Sequence, residues 1–243
     1  ATELPESTSP FGRIDTGAVM GRLYARRNAS HLFAIHRGDH CFMGATPERL
    51  LSCASGHLST HALAGSTRRG LKPNEDQALG ERLLADPKEQ HEHQLVVQTI
   101  TQALHDKVSD LQAASSPSLL KLATVQHLST PISARLNVGK RLLDGIQALH
   151  PTPAVGGLPK ASALAFIREH EGFDRGWYAA PVGWLDAQGN GDFLVALRSA
   201  LITPRHCHAF AGCGIVEGSL PANEYEETQI KLASMQQALQ LAC

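Results

Sequence analysis

With 243 residues, the chain can bury one large core or divide into two domains. Its 22 basic and 23 acidic side chains leave a formal charge of −1. Neither sign gathers into a long run, which argues against nucleic acid or an anionic membrane surface as the partner and points to a small solute. No apolar stretch approaches the roughly 18 residues of a membrane span, and "ATELPESTSPFGRIDTG" lacks the basic-then-apolar order of a secretory leader. The chain therefore reads as soluble and cytoplasmic. Five cysteines, an odd number without a C-x-x-C pair, read as buried free thiols.

In chain order, a short helix is expected at 17–27, then a hairpin in "HLFAIHRGDHCFMGAT" turning at Gly38 and Asp39, and another in "RLLSCASGHLSTHALAGS" turning at Ser55 and Gly56. A helical region over 74–112 is divided at Asp86-Pro87, where Asp86 can cap a second helix and Pro87 occupy its first position. "LHPTPAVGGLPK" holds too many breakers for a regular element, and Pro159 opens a helix to about 170. Three strands follow, turning at 188–191 and at Thr203-Pro204, and a helix over 222–241 ends the chain. Hairpins interrupted by long helices favour an α+β fold with antiparallel sheets in a single domain over 1–243.

Two helical stripes carry charge where a core is expected. Glu89, Glu92, Val96, Ile100 and Ala103 step by three or four, as do Glu224, Glu227, Lys231, Met235 and Ala238. Inward carboxylates need a cation or hydrogen bonds, and a pair of E-x-x-E motifs in one chain suits a shared site for Mg²⁺, which takes one or two carboxylates and keeps waters. Helix capping by Glu89 and N-terminal electrostatics at Glu224 and Glu227 are the plainer alternatives.

Glu48, behind Pro47 at the head of an apolar run, can be desolvated into a general acid or simply serve as an N-terminal helix charge. Gly65 and Ser66 at a strand end, and Gly212 and Gly214, offer backbone N–H groups to an anion, although plain turns fit as well. Arg198 lies in an apolar strand and suits a carboxylate held by both arms of its guanidinium. The pairs His91/His93 and His206/His208 lack further ligands at zinc spacing and read as exposed.

The motifs "GATPERLL", "LAGSTRRG", "DPKEQHEHQLVV", "VQHLSTPISARL", "LHPTPAVGGLPK", "RGWYAAPVGWLDAQGNGDFLVALRSA" and "AFAGCGIVEGSLPANEYEETQIKL" run in order over residues 40–235. In them the chain resembles the chorismate-utilising enzymes, most closely the C-terminal catalytic part of isochorismate synthases. The resemblance implies an anthranilate/isochorismate synthase-like sandwich of two antiparallel sheets flanked by helices, with the N-terminal part missing. It puts Glu48 on the general acid, Glu92 and Glu227 on Mg²⁺ ligands, and Glu89 and Glu224 on supporting or alternative ligands. Arg198 and Lys231 match binders of the substrate carboxylates, helped by the backbone at Gly65, Ser66, Gly212 and Gly214, and His127 lines the pocket.

The implied reaction is Mg²⁺-dependent conversion of chorismate to isochorismate, with salicylate synthesis, releasing pyruvate, as the alternative. The family's general-base lysine has no counterpart here, since no lysine precedes Lys72. The family's N-terminal fragment is accordingly an expected partner, and a non-catalytic fragment a further alternative.

Overall fold

The computed structural model describes residues 2–3, 14–27, 30–122 and 125–240. Cys243 and the expected end of the last helix at residue 241 lie outside the described residues. By its contacts the chain forms two compact units, one comprising residues 1–47, 151–180 and 195–243, the other residues 48–150 and 181–194.

The first unit is built on an antiparallel sheet in the order β1 (Thr2–Glu3), β12 (Cys207–Ala211), β11 (Ser199–Ile202), β3 (His40–Thr46), β2 (His31–Arg37). The β2–β3 hairpin pairs His31 with Thr46 through Arg37 with His40, and Gly38 supplies the positive φ of its turn, +60°. α1 (Thr16–Ala25) is capped by Asp15, whose Oδ1 accepts the Ala18 N–H at 3.0 Å. It packs with α7 (Pro221–Leu239) against the sheet, bringing Val19, Leu23, Leu232 and Met235 onto Met43 and Ile202. α5 (Pro153–Gly156) makes one turn within the breaker-rich loop, and α6 (Lys160–His170) starts behind Pro159 as expected.

The second unit carries a seven-stranded sheet in the order β6 (Val108–Ala113), β8 (Val125–Leu136), β5 (His57–Arg68), β4 (Arg49–Ala54), β10 (Gly191–Val195), β9 (Pro181–Leu185), with β7 (Ser118–Lys121) also pairing to β8. The β4–β5 turn falls at Ser55 and Gly56, both at positive φ. α3 (Pro87–Leu104) and α4 (Leu142–Leu149) cover β4, β5 and β8. Gly145 lets α4 approach closely, since a Cβ there would lie 2.7 Å from Leu51 Cδ2.

Two expectations are corrected. The helical region stops at Leu104 instead of 112, because Val108–Ala113 pairs with β8 as a strand. The stretch after α6 holds four strands instead of three. Its apolar run breaks at Arg198, whose φ of +48° cannot continue a ladder, so β10 and β11 belong to different sheets and Arg198 lies in the bend between them, outside any strand. The α+β class with antiparallel sheets stands. Among the described residues no helix is long and apolar enough to cross a membrane.

α2 (Pro73–Ala85) is tied to the end of β5 by Asp76, which accepts Arg69 Nε at 2.6 Å, Arg69 Nη2 at 3.0 Å, Lys121 Nζ at 2.9 Å and the Gly70 N–H at 3.0 Å. The Arg69 guanidinium first, then Lys121 and the Gly70 N–H, hold its carboxyl well below the usual carboxylate range. A depressed carboxyl stabilises the fold fully above its unfolded value near ~4, and that contribution fades as pH falls toward the folded value. Asp76→Asn is therefore expected to lower the melting temperature at pH 7, with the gap to wild type closing below pH ~4 in a thermal-melt series; a gap independent of pH would contradict the ion-pair account.

Candidate functional site

In the second unit, Asp86 caps α3 through Oδ1, which accepts the Lys88 N–H at 2.9 Å and the Glu89 N–H at 3.2 Å. Glu89 does not complete a capping box. Its carboxylate turns instead toward β5, where it takes a backbone hydrogen bond from Ser66 and lies against Gly65. Burial pushes the Glu89 carboxyl up, the charges of Glu92 and Asp86 push the same way, and Lys88 and the Ser66 backbone oppose them.

Gly65 and Ser66 do not end the strand as expected: β5 runs on to Arg68, and the register against β8 shifts between Ala64 and Ser66 in a bulge. Gly65 has φ +77°, and a Cβ on it would lie 2.9 Å from Glu89 Oε2 and 3.2 Å from Leu128 Cδ1. Only glycine meets both demands. Beyond the bulge Ser66 pairs with His127, and Ser66 Oγ lies 2.7 Å from His127 Nδ1. Gly65, Ser66, Glu89 and His127 are thus gathered at one end of β5.

The buried seam of α3 runs through His93, Val97, Ile100 and Leu104, one position round the helix from the line drawn through Glu92, Val96 and Ala103. Glu89 heads this seam, while Glu92 sits on its shoulder with its side chain 35% exposed, 3.7 Å from Lys88 Nζ. An exposed i,i+4 pair of this kind contributes ~0.3–0.5 kcal/mol and leaves the carboxylate available. Glu48 is half-buried in the short link between β3 and β4, where the sequence placed it.

In the first unit, Glu224, Glu227 and Lys231 head the buried face of α7 formed by Thr228, Leu232, Met235 and Ala238. Lys231 Nζ donates to Glu227 Oε1 at 2.6 Å and to the Gly212 carbonyl at 3.0 Å. The 212–214 segment therefore engages α7 through a carbonyl, and neither Gly212 nor Gly214 has positive φ. Arg198 is brought near Glu227: burial pulls its guanidinium below the ordinary arginine value, and the Glu227 charge supports the cationic form. The bend's backbone is fixed by the Ala45 N–H donating to the Arg198 carbonyl at 3.2 Å.

Two residues near these groups escaped the sequence reading. His93 is not exposed; it is 2% accessible, with Nδ1 3.2 Å from the Ala64 carbonyl and Nε2 2.7 Å from Thr130 Oγ1. The Glu89-His93-Val97-Ile100-Leu104 spacing carried that signal. Cys213 is partly buried beside the α7 carboxylates; burial, a hydrogen bond to Glu224 and the Glu224 and Glu227 charges push its thiol up to about 11. Cys41, Cys53 and Cys207 are buried and free, as expected. His206 and His208 are half-buried and His91 is exposed.

Among the described residues no three His, Cys, Asp or Glu side chains converge as a metal cage. The donors are instead hard carboxylate oxygens in pairs, and burial first, then the Glu92 charge, pushes the Glu89 carboxyl up. Such a set fits Mg²⁺, which needs few carboxylates and keeps its waters, far better than zinc.

Comparison with known proteins places the chain in a family. The salicylate biosynthesis isochorismate synthase of Pseudomonas aeruginosa is 54% identical over 230 residues, covering 95% of this chain and 48% of that protein. Isochorismate synthase MenF of Bacillus subtilis is 46% identical over 228 residues, covering 94% of this chain and 48% of that protein. The chain thus spans about half the length of these curated relatives. The solved structure of the menaquinone-specific isochorismate synthase from Escherichia coli superposes with a TM-score of 0.87 at 36% identity, over 94% of this chain and 53% of that one. A family model described as chorismate binding enzyme matches residues 9–240, and the chain belongs to that family.

Proposed function

We propose that this chain forms the catalytic part of an isochorismate synthase, converting chorismate to isochorismate with Mg²⁺. The observation that carries the reading is the 54% identity to an isochorismate synthase over 95% of the chain, with one E-x-x-E pair at the head and shoulder of the buried seam of α3 and the other at the head of the buried face of α7. Water adds at C2 of the ring, the alkene shifts, and the C4 hydroxyl leaves with a proton supplied by Glu48. Arg198 and Lys231 bind substrate carboxylates, with the backbone at Gly65, Ser66, Gly212 and Gly214 assisting and His127 lining the pocket.

Glu92 and Glu227 are the proposed metal ligands, and Glu89 and Glu224 support or replace them. When bound, Mg²⁺ supplies Lewis-acid stabilisation of negative charge and a template for the ring carboxylate. These residues orient their own carboxyl groups: Lys231 holds Glu227, and the Ser66 backbone holds Glu89.

The family's water-activating lysine has no counterpart among these residues, so turnover is proposed for the chain together with a segment that supplies it. Incubating the protein together with such a segment, chorismate and Mg²⁺ and separating the products tests the reading: isochorismate is expected. Salicylate with pyruvate would favour the alternative suggested by the "VQHLSTPISARL" and "YEET" motifs. Turnover that stays absent when a lysine-bearing segment is added would favour the further alternative, a non-catalytic fragment.

A further inference from the structure

We propose that His93 is a positioning residue that sets the Glu89 carboxylate against the Gly65–Ser66 bulge and fixes the helical turn that carries Glu92. The inference rests on the metal reading above, and it concerns a side chain that reading does not use. His93 is 2% exposed, and so is Thr130. Its imidazole spans two neighbouring strands, with Nδ1 3.2 Å from the Ala64 carbonyl on β5 and Nε2 2.7 Å from Thr130 Oγ1 on β8. A carbonyl only accepts, so Nδ1 must carry the proton, and the neutral ring then receives the Thr130 hydroxyl proton at Nε2.

The position of this clamp gives it a role beyond packing. Ala64 immediately precedes the bulge, where the register shifts before Ser66. Glu89 is one helical turn before His93, and its carboxylate meets Gly65 and the Ser66 backbone. The chain of contacts from His93 through Ala64, Gly65, Ser66 and Glu89 closes back on His93 through one turn of α3. Glu92, the adjacent residue, is carried by the same turn. Val97, Ile100 and Leu104 below it hold the helix by apolar packing, which tolerates small slides. A directed donor to one carbonyl next to the bulge does not. His93 therefore fixes α3 in register at the level where its carboxylates lie.

Binding of Mn²⁺, a spectroscopic stand-in for Mg²⁺, tests this by electron paramagnetic resonance without requiring turnover. His93→Leu removes both hydrogen bonds and is expected to weaken Mn²⁺ binding by ~10–100-fold, the range for groups that orient metal ligands. His93→Asn keeps a donor where Nδ1 stood and is expected to recover most of that loss while remaining unable to reach Thr130. Leu104→Ala loosens the same helix about three turns away and lowers the melting temperature, yet should leave Mn²⁺ affinity within about twofold. Equal affinity in wild type and a folded His93→Leu protein would overturn the positioning role. Equal weakening by Leu104→Ala would reduce it to general stability. A wild-type protein that binds no Mn²⁺ would overturn the metal reading itself, and the inference with it.

Discussion

Replacing Glu92 or Glu227 with glutamine is expected to cut Mg²⁺-dependent turnover at least ~100-fold while leaving the fold intact. A ligand that helps neutralise charge in a transition state contributes several kcal/mol, and each ~1.4 kcal/mol is a tenfold rate. Neither side chain anchors the core: Glu92 lies on the shoulder of α3, and the Glu227 side chain is 38% exposed. Thermal melts of Glu92→Gln should therefore change little, which separates a lost ligand from a lost structure; Glu227→Gln also leaves the Arg198 charge uncompensated, so its rate is read at a temperature where the variant is folded. Glu226, exposed on the same helix, provides the control, since Glu226→Gln should leave turnover unchanged. Glu89→Gln should fall between these limits, at ~10-fold, because its carboxylate is engaged by the Ser66 backbone. Normal rates at saturating Mg²⁺ in either ligand variant would contradict the assignment.

Arg198 should separate stability from activity in the opposite sense. Its guanidinium is desolvated enough that its pKa is pulled down, with Glu227 as the compensating charge. Burying a cation to await an anionic ligand costs folding free energy, and a nonpolar replacement of similar length removes that cost. Arg198→Met is expected to keep or raise the melting temperature and to raise the Michaelis constant for substrate by ~100-fold or more. Arg198→Lys keeps the charge but loses the two-armed geometry that matches a carboxylate, so an intermediate loss near ~10-fold is expected. A destabilised but fully active Arg198→Met protein would show that the residue serves the fold.

The hairpins could be read from sequence because their turns are local: Gly38 and the Ser55-Gly56 pair announce the positive φ that the chain then adopts. Asp86 and Pro87 likewise divided the helices by capping chemistry contained within four residues. What escaped depends on partners distant in the chain. Arg198 breaks the apolar run at φ +48°, a conformation that no arginine signals, and the break becomes visible only when β10 and β11 join different sheets. The bulge at Gly65 exists because β5 slips against β8, a register the β5 residues do not encode alone.

The carboxylate stripes were legible as a pattern, and their positions were legible to within one helical face. On α7 the line through Glu224, Glu227 and Lys231 leads onto the buried side. On α3 the apolar residues supported two adjacent lines, and hydrophobic spacing could not choose between them. His93 decided it, by bonding to a carbonyl and a hydroxyl on two strands. Read without those partners, a histidine between two polar residues has the pattern of an exposed one.

The most direct test follows heavy oxygen from labelled water through the reaction with chorismate and Mg²⁺, with mass spectrometry of the product. Isochorismate carrying one heavy oxygen, formed only when Mg²⁺ is present and lost on chelation, is the predicted result. Unlabelled isochorismate, or the same rate after chelation, would contradict addition of water at C2 under the control of a bound metal.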